Sequence, residues 1–136
     1  MKKNFDVIIV GMGPSGLVLA GLLANYGIEV GIFERNKSTV KEPRAVSIDD
    51  ESLRVLQSFS LHHAVLKNVS QNYGSHYYDA KGKLFLKVEP NSCENGFFKR
   101  NAFDQPTFES TIRKYLENKR NIDINFSHTL VSMKNE

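Results

Sequence analysis

Three glycines near the amino end of the chain have the spacing G-x-G-x-x-G: Gly11, Gly13 and Gly16. In this pattern the first glycine allows a sharp turn from strand to helix, the second lets a pyrophosphate approach the backbone, and the third lets the helix pack closely on the strand. Pro14 removes no N–H that the helix would use internally, and Ser15 can add a hydroxyl contact. The spacing alone is a weak signal, so its setting decides whether it marks a nucleotide site.

A nucleotide site of this kind also requires an acidic residue at the end of the strand that follows the helix. Glu34 lies eighteen residues after Gly16, at the end of the next predicted strand. There a carboxylate accepts hydrogen bonds from the ribose hydroxyls of adenosine and repels a 2′-phosphate, which disfavours NADP. The alternative is a solvated glutamate at a strand end. The motif and the carboxylate together predict the ADP-binding half of a dinucleotide site, and they do not separate FAD from NAD.

The elements needed to position these residues are visible in the hydropathy pattern. Residues 6–10 are β-branched and apolar after Asp6, which predicts a strand buried on both faces. Residues 14–26 predict an apolar helix with Gly27 just past its end, and residues 28–34 predict a second strand. Together they form a βαβ unit of about thirty residues.

The rest of the chain predicts an alternation of helices and strands, including a β-hairpin whose turn contains Gly82 at a position suited to a positive φ. In chain order we expect a loop at 36–46, helices at 48–59 and 61–66, hairpin strands at 73–78 and 84–88, a polar loop at 89–96, a helix at 106–119, a strand at 122–126 and the start of another strand at 130–133.

The composition is that of one globular domain. Of the 136 residues 40% are hydrophobic and 24% charged, and the formal charge is +3 with scattered basic residues, so neither disorder nor nucleic-acid binding is indicated. The single cysteine, Cys93, excludes an internal disulfide and fits a reducing cytoplasm. The uncharged run at residues 7–24 contains Gly11, Gly13, Pro14 and Gly16, which disfavours a signal peptide or a membrane span.

Two constellations suggest other chemistry and are better explained structurally. The acidic residues 49–51 could bind a metal, but acidic residues at the start of a helix are favoured there as caps and by the helix dipole. His62 and His63 are adjacent and are expected to diverge on a helix, and His76 and His128 have no partner at ligand spacing. We therefore assign no metal site and no catalytic residue.

Two further segments carry a family resemblance: Pro-Arg-Ala-Val-Ser-Ile-Asp-Asp-Glu-Ser-Leu-Arg at residues 43–54 and Arg-Asn-Ala-Phe-Asp-Gln-Pro at residues 100–106. With the βαβ unit, they resemble the N-terminal portion of the class A flavoprotein aromatic hydroxylases, in particular the 3-(3-hydroxyphenyl)propionate hydroxylase group. The resemblance covers nearly the whole chain. It implies an α/β fold, a truncated glutathione-reductase-like FAD domain in which a Rossmann-like FAD-binding βαβ unit carries an inserted β-hairpin.

The resemblance also implies a division of the chain into three parts. Residues 1–72 would form the FAD-binding βαβ unit with the helix that follows. Residues 73–97 would be a β-hairpin that belongs to the sheet of a substrate domain. Residues 98–136 would return to the FAD domain as a helix and a strand.

The resemblance further implies a chemistry and roles for individual residues. Enzymes of this class bind FAD non-covalently, reduce it with NAD(P)H and use O₂ to hydroxylate a small aromatic substrate. By resemblance, Arg44 lies near the FAD pyrophosphate and ribityl chain, and Gln105 reaches the FAD. From the residues alone, an exposed loop arginine and a helix N-terminal glutamine are the alternatives. Arg35 is a candidate for covering the adenine, and Leu130 for backbone contacts with it.

The chain differs from the enzymes of this class in its length and in two motifs. Such enzymes are several times longer and carry an Asp-Gly motif and a later Gly-Asp motif, and neither dipeptide occurs here. We therefore expect the first portion of such an enzyme, with exposed apolar surface that favours self-association into homo-oligomers. Two alternatives stay open: another FAD oxidoreductase of the superfamily, such as a halogenase or a reductase, and a non-catalytic nucleotide-binding remnant.

Overall fold

A computed structural model describes residues 4–39 and 42–134 of the chain. Packing divides it into two compact units, one formed by Met1–Pro43 with Gln105–Glu136 and the other by Arg44–Asp104. The three domains expected from the sequence, with boundaries after residues 72 and 97, stay predictions about the organisation of the chain.

The described residues form twelve helices and strands. In chain order they are β1 (Val7–Val10), α1 (Pro14–Asn25), β2 (Val30–Glu34), β3 (Ser47–Ile48), α2 (Asp50–Ser58), α3 (His62–Leu66), β4 (Val69–Gln71), β5 (Ser75–Tyr78), β6 (Leu84–Val88), β7 (Asn101–Phe103), α4 (Gln105–Leu116) and β8 (Ile122–Phe126). None of the helices in the described ranges has the length and apolar character needed to cross a bilayer.

The first unit is built on a parallel sheet with the strand order β1-β2-β8. Val7 pairs with Val30 and Val30 with Ile122, so β2 lies in the middle. Helix α1 connects β1 to β2 and packs against α4, with Leu17 of α1 and Ile112 of α4 fully buried. The predicted βαβ unit is confirmed, and so is the α/β fold that contains it.

The prediction that β1 is buried on both faces is wrong. Ile9 is only 7% exposed, whereas Ile8 is 59% and Val10 56% exposed. Ile9 faces α1, since a Cβ on Gly16 would lie 3.3 Å from its Cγ2 atom. Alternate residues of a strand point to opposite faces, and in the described part of the chain only the face of Ile9 is covered at this strand.

The second unit contains a small antiparallel sheet that the sequence did not predict, with the order β3-β7-β4. Asn101 of β7 is fully buried in it. Its side-chain nitrogen donates to the carbonyl oxygens of Ile48 (3.2 Å) and Phe98 (2.7 Å), and its oxygen accepts from the N–H of Asn72 (3.3 Å). One asparagine thus ties three segments of this sheet together.

The predicted hairpin is confirmed as β5 paired with β6. Gly82 has a φ of +78°, as its predicted place in the turn requires. The carboxylate of Asp79 accepts from the N–H groups of Lys81 (2.8 Å) and Lys83 (2.9 Å), which stabilises the turn.

One helix boundary and one expected strand in the C-terminal part of the chain differ from the expectation. Helix α4 ends at Leu116 rather than at residue 119. Residues 130–133 form no strand, so the expectation of another strand there is wrong. A strand requires a hydrogen-bonded neighbour, and within the described residues the sheet of the first unit ends at β8.

Candidate functional site

The glycine turn joins β1 to α1 in the first unit. Gly11 has a φ of +102°, a conformation that favours glycine, and its N–H donates to the carbonyl oxygen of Phe33 at 2.8 Å. Pro14 is the first residue of α1. The first hydrogen bond of the helix runs from the N–H of Leu17 to the oxygen of Gly13 at 3.0 Å. The N–H groups of Ser15 and Gly16 precede that bond, at the positive end of the helix dipole.

The other two glycines differ in what surrounds them. A Cβ on Gly16 would collide with the carbonyl oxygen of Gly11, so only glycine lets α1 begin this close to the turn. A Cβ on Gly13 would meet no atom within 4 Å, and Gly13 has an ordinary φ of −76°. Neither packing against the described residues nor its own backbone conformation therefore requires glycine at residue 13. Open space beside the backbone is what a pyrophosphate needs in order to approach it.

The carboxylate of Glu34 is attached to this turn by hydrogen bonds. Its Oε2 accepts from the N–H of Met12 at 2.9 Å, between the first two glycines. Its Oε1 accepts from the N–H (2.9 Å) and the side-chain nitrogen (2.7 Å) of Asn36. A carboxylate has about four acceptor positions, so these three bonds orient it and leave capacity for a hydroxyl donor. The carboxylate at the end of β2 and the turn at the end of β1 thus form one cluster.

The electrostatic surroundings keep Glu34 ionised. Partial burial acts to raise its pKa, but the hydrogen bonds from the Asn36 and Met12 N–H groups and from the Asn36 side chain act together to hold the pKa below its ordinary value of 4.5. The neighbouring Arg35 guanidinium acts in the same direction. The group is therefore an anion at neutral pH, able to accept hydrogen bonds and to repel a second anion.

The remaining candidates in the first unit lie at three places. Arg35 is exposed directly after β2. Leu130 is exposed beyond β8, in a segment that begins with a hydrogen bond from the N–H of His128 to the oxygen of Glu34 (2.9 Å). Gln105 is the first residue of α4 and is buried. The sheet and its connections bring Glu34, Arg35 and the glycine turn together.

Arg44 belongs to the second unit, where it is exposed. The role that the family resemblance gives it stays a prediction.

The acidic residues at the start of α2 act as expected for a helix cap. Oδ1 of Asp49 accepts from the N–H of Ser52 at 2.8 Å, and the Ser52 side chain and N–H together hold the pKa of Asp49 below its ordinary value. Oδ2 of Asp50 accepts from the side-chain nitrogen of Asn95 at 2.8 Å. Within residues 4–39 and 42–134, no three histidine, cysteine, aspartate or glutamate side chains are grouped as a metal ion would require.

The expectation that His62 and His63 diverge is wrong. Their ring centroids are 3.9 Å apart with an angle of 36° between the planes. Rotation about the side-chain bonds brings together rings whose Cβ atoms point in different directions on the helix. Burial, followed by the neighbouring His63, lowers the pKa of His62.

Comparison with known proteins identifies the family. Residues 4–136 match the family model described as FAD binding domain. A 3-(3-hydroxy-phenyl)propionate/3-hydroxycinnamic acid hydroxylase of Comamonas testosteroni is 35% identical over 135 residues, which are 99% of this chain and 23% of the hydroxylase. The structure of p-nitrophenol 4-monooxygenase PnpA of Pseudomonas putida DLL-E4 has a TM-score of 0.88 at 22% identity, covering 100% of this chain and 35% of PnpA. The flavin-dependent monooxygenase PieE, in complex with FAD and substrate, has a TM-score of 0.82 at 17% identity, covering 97% of this chain and 25% of PieE.

The chain belongs to the FAD-binding domain family of the flavin monooxygenases. The resemblance to the 3-(3-hydroxyphenyl)propionate hydroxylases is confirmed, and FAD is confirmed as the cofactor of the family. The chain spans about a quarter of the length of the curated relatives that it matches, between 23% and 25% for the first three.

Sequence reasoning missed two residues that form hydrogen bonds with candidate site residues. Asn36 orients Glu34 from two positions further along the chain, and nothing in its type distinguishes it from an ordinary loop asparagine. Glu109 is a buried glutamate on α4 that accepts a hydrogen bond from Gln105. Its spacing of four residues from Gln105 was a usable signal, because residues at that spacing share a helix face.

Proposed function

We propose that this chain is the N-terminal FAD-binding portion of an NAD(P)H-dependent flavin monooxygenase that hydroxylates a small phenolic or other aromatic compound. The observation that carries the proposal is the hydrogen bond between the Glu34 carboxylate and the glycine turn, which puts an acceptor for ribose beside a backbone open to pyrophosphate. The relationship to a 3-(3-hydroxy-phenyl)propionate/3-hydroxycinnamic acid hydroxylase supports the aromatic substrate.

The residues of the first unit fit the ADP half of FAD. The N–H groups at the start of α1 would face the pyrophosphate, and the space beside Gly13 would admit it. Glu34 would accept a hydrogen bond from an adenosine ribose hydroxyl. Arg35 would cover the adenine, and the backbone at Leu130 would contact it.

Two further residues are assigned to the flavin half of the cofactor. We assign Gln105 to the ribityl chain, since an amide can hydrogen-bond to hydroxyl groups. Arg44 is assigned to the pyrophosphate and the ribityl chain, since a guanidinium is a good partner for phosphate. These assignments rest on the family resemblance and on the chemistry of the side chains.

The flavin, when bound, supplies the electron transfer and the activation of oxygen. The residues of this chain bind and orient the cofactor, and we assign no catalytic residue. The same proposal places the protein in the cytoplasm, where the exposed thiol of Cys93 would stay reduced and nicotinamide donors are present.

Calorimetric titration of the purified chain with ADP-ribose and with its 2′-phosphorylated form tests the site at Glu34. We expect the 2′-phosphate to weaken binding about tenfold or more, because it would face an ionised carboxylate. Glu34→Gln, which removes the charge and keeps the shape, is expected to narrow that difference. Equal affinity for the two ligands, or no binding of either, would contradict the proposal.

The DNA downstream of codon 136 tests the remainder of the proposal. We expect an in-frame continuation that encodes an Asp-Gly motif and a later Gly-Asp motif. An immediate stop with no such continuation would favour a nucleotide-binding remnant over an enzyme.

A further inference from the structure

Two imidazole rings are stacked at the start of α3, in the second unit. The ring centroids of His62 and His63 are 3.9 Å apart, with an angle of 36° between the ring planes. His63 is exposed, whereas Nδ1 of His62 is buried and has no hydrogen-bond partner among the described residues. A neutral imidazole carries a hydrogen on one nitrogen, and an imidazolium carries one on each. Protonation of His62 would therefore put a donor on Nδ1, where no acceptor is present in the described part of the chain.

A ring from a distant loop packs against this pair. Phe97 lies in the loop of residues 89–100, between β6 and β7. Its ring centroid is 5.7 Å from that of His62, with 73° between the planes, so the two rings meet edge to face. The same loop is attached to α2 by the hydrogen bond from the Asn95 side chain to Asp50. The contact between Phe97 and His62 is thus a second attachment of the loop, and it connects the loop to α3.

The charges around α3 do not compensate a proton on His62. Its pKa is lowered by burial and, after burial, by the neighbouring His63. Strand β4 carries no titratable side chain, and the charged or titratable side chains of the other neighbouring segments are not among the causes of the shift. They are Asp49, Asp50, Glu51 and Arg54 at α2, Lys67 after α3, and Glu89, Cys93, Glu94, Lys99 and Arg100 in the loop. Within the described ranges, therefore, no carboxylate offsets the effect of burial and of His63.

We propose that this contact is a pH-sensitive switch: the loop of residues 89–100 is held against α3 while His62 is neutral and is released when His62 is protonated. With both rings neutral, His62 packs between His63 and the edge of Phe97. A protonated His62 would have a buried N–H without an acceptor and would lie against a second imidazole that can also gain a proton. Its ring would turn towards water, and Phe97 would lose its contact with α3.

The direction of the pH effect follows from the difference between the folded and the unfolded chain. The pKa of His62 is lower in the folded chain than its ordinary value of 6.5, so the open chain takes up the proton more readily. The stabilisation is therefore fully present above pH 6.5 and is lost as the pH falls through the folded value. No bound cofactor is needed, so the switch would operate whether or not the chain binds FAD.

Hydrogen exchange followed by mass spectrometry measures the release of the loop. Protection factors, which correct for the intrinsic effect of pH on exchange, are compared for residues 89–100 at about pH 7.5 and about pH 5.5, on either side of the ordinary histidine value. His62→Phe keeps an aromatic ring that cannot be protonated, and His63→Gln removes the neighbouring imidazole. His128→Gln, in the first unit, is the matched control for the loss of one imidazole.

We expect the protection of the loop in wild type to fall about two- to tenfold at the lower pH, as for the loss of one aromatic contact. His62→Phe should show no such fall, and His128→Gln should show it in full. In proton NMR, the His62 ring should titrate at a lower pH than it does in the urea-unfolded chain. His63→Gln should raise the midpoint of that titration, because it removes the neighbouring charge.

A loop that is equally protected at both pH values would overturn the proposal, as would a His62→Phe variant that loses protection to the same extent as wild type. If His62→Phe fails to fold, the NMR titration decides. A His62 ring that titrates at or above its midpoint in the unfolded chain, or whose midpoint is unchanged in His63→Gln, would show that the pair is not a switch.

Discussion

At the scale of single residues, the role proposed for Glu34 depends on how firmly its carboxylate is held. Three hydrogen bonds hold the carboxylate at the end of β2, one from Met12 and two from Asn36. A hydrogen-bonded side chain has little rotamer freedom left to lose, so binding a ribose hydroxyl there costs less conformational entropy. The same N–H groups keep it ionised, which is the state that discriminates against a 2′-phosphate.

The stability that Glu34 contributes is expected to depend on pH. Its pKa is lower in the folded chain than the ordinary 4.5, so the contribution is present above pH 4.5 and is lost as the pH falls through the folded value. We therefore expect wild type to exceed Glu34→Gln in the free energy of unfolding at pH 7, with the difference shrinking at more acidic pH. Urea denaturation followed by circular dichroism from pH 7 downwards measures it.

Glu94→Gln, in the exposed loop after β6, controls for the loss of one negative charge. A difference between wild type and Glu34→Gln that grows as the pH falls would contradict the assignment.

The candidate residues near the turn were accessible to sequence reasoning because their spacing is set by local geometry. A strand, a tight turn and a helix fix the distance between Gly11 and Gly16, and the next strand brings Glu34 beside them. Asn36 was not accessible in the same way. Which side chain a glutamate meets depends on rotamers and on packing between elements, which the order of residues does not state.

At the scale of elements, Gly16 and Gly13 differ in whether packing among the described residues requires a glycine. Gly16 serves the packing of α1 on β1, where a methyl group would collide with a backbone oxygen that cannot rotate away. Gly13 has open space beside it and an ordinary backbone conformation, so no contact among the described residues requires a glycine there. Gly16 is therefore expected to matter for folding and Gly13 for binding.

Alanine at these two positions is expected to have unequal effects on the free energy of unfolding. Gly16→Ala should lower the free energy of unfolding by about 1–3 kcal/mol, because overpacking against backbone forces a shift of α1. Gly13→Ala should leave it within about 0.5 kcal/mol, as for a substitution that meets nothing. Chemical denaturation of both variants beside wild type tests the pair. Similar losses in the two would show that the turn is packed differently.

The longer elements were predictable and the shortest ones were not. Helices α1, α2 and α4 run for nine to twelve residues, long enough for hydrophobic periodicity to be visible. Strands β3, β4 and β7 have only two or three residues, too few to show an alternation. Their sheet depends on pairing between segments distant in sequence and on the buried Asn101, so a local pattern could not indicate it.

At the scale of the whole chain, each unit exposes apolar side chains on a β-structure. In the first unit they are Ile8 and Val10 of β1. In the second they lie on both strands of the hairpin, and Phe85 of β6 is 66% exposed. Contiguous exposed apolar surface is typical of a surface that contacts another part of a protein or another molecule. Burial of β1 on both faces could not be decided from its residues, because it depends on what packs against the strand.

We propose that the chain self-associates through such surfaces. The weight-average mass in sedimentation equilibrium is expected to rise with protein concentration. Phe85→Thr, which keeps a residue suited to a strand, should reduce the rise, because it removes exposed apolar area. Lys81→Thr in the adjoining turn is the matched control and should not. A monodisperse monomer at every concentration would contradict the proposal.

The central proposal is that FAD binds against the glycine turn. One titration tests this most directly. Purified wild-type chain and Gly13→Ala are titrated with FAD while flavin fluorescence is followed. We predict saturable binding of one FAD per wild-type chain. A Gly13→Ala variant of unchanged stability should bind FAD at least about tenfold more weakly, because its methyl group would occupy the space that the pyrophosphate needs. Equal affinity of the two proteins for FAD, or no binding by a folded wild-type chain, would contradict it.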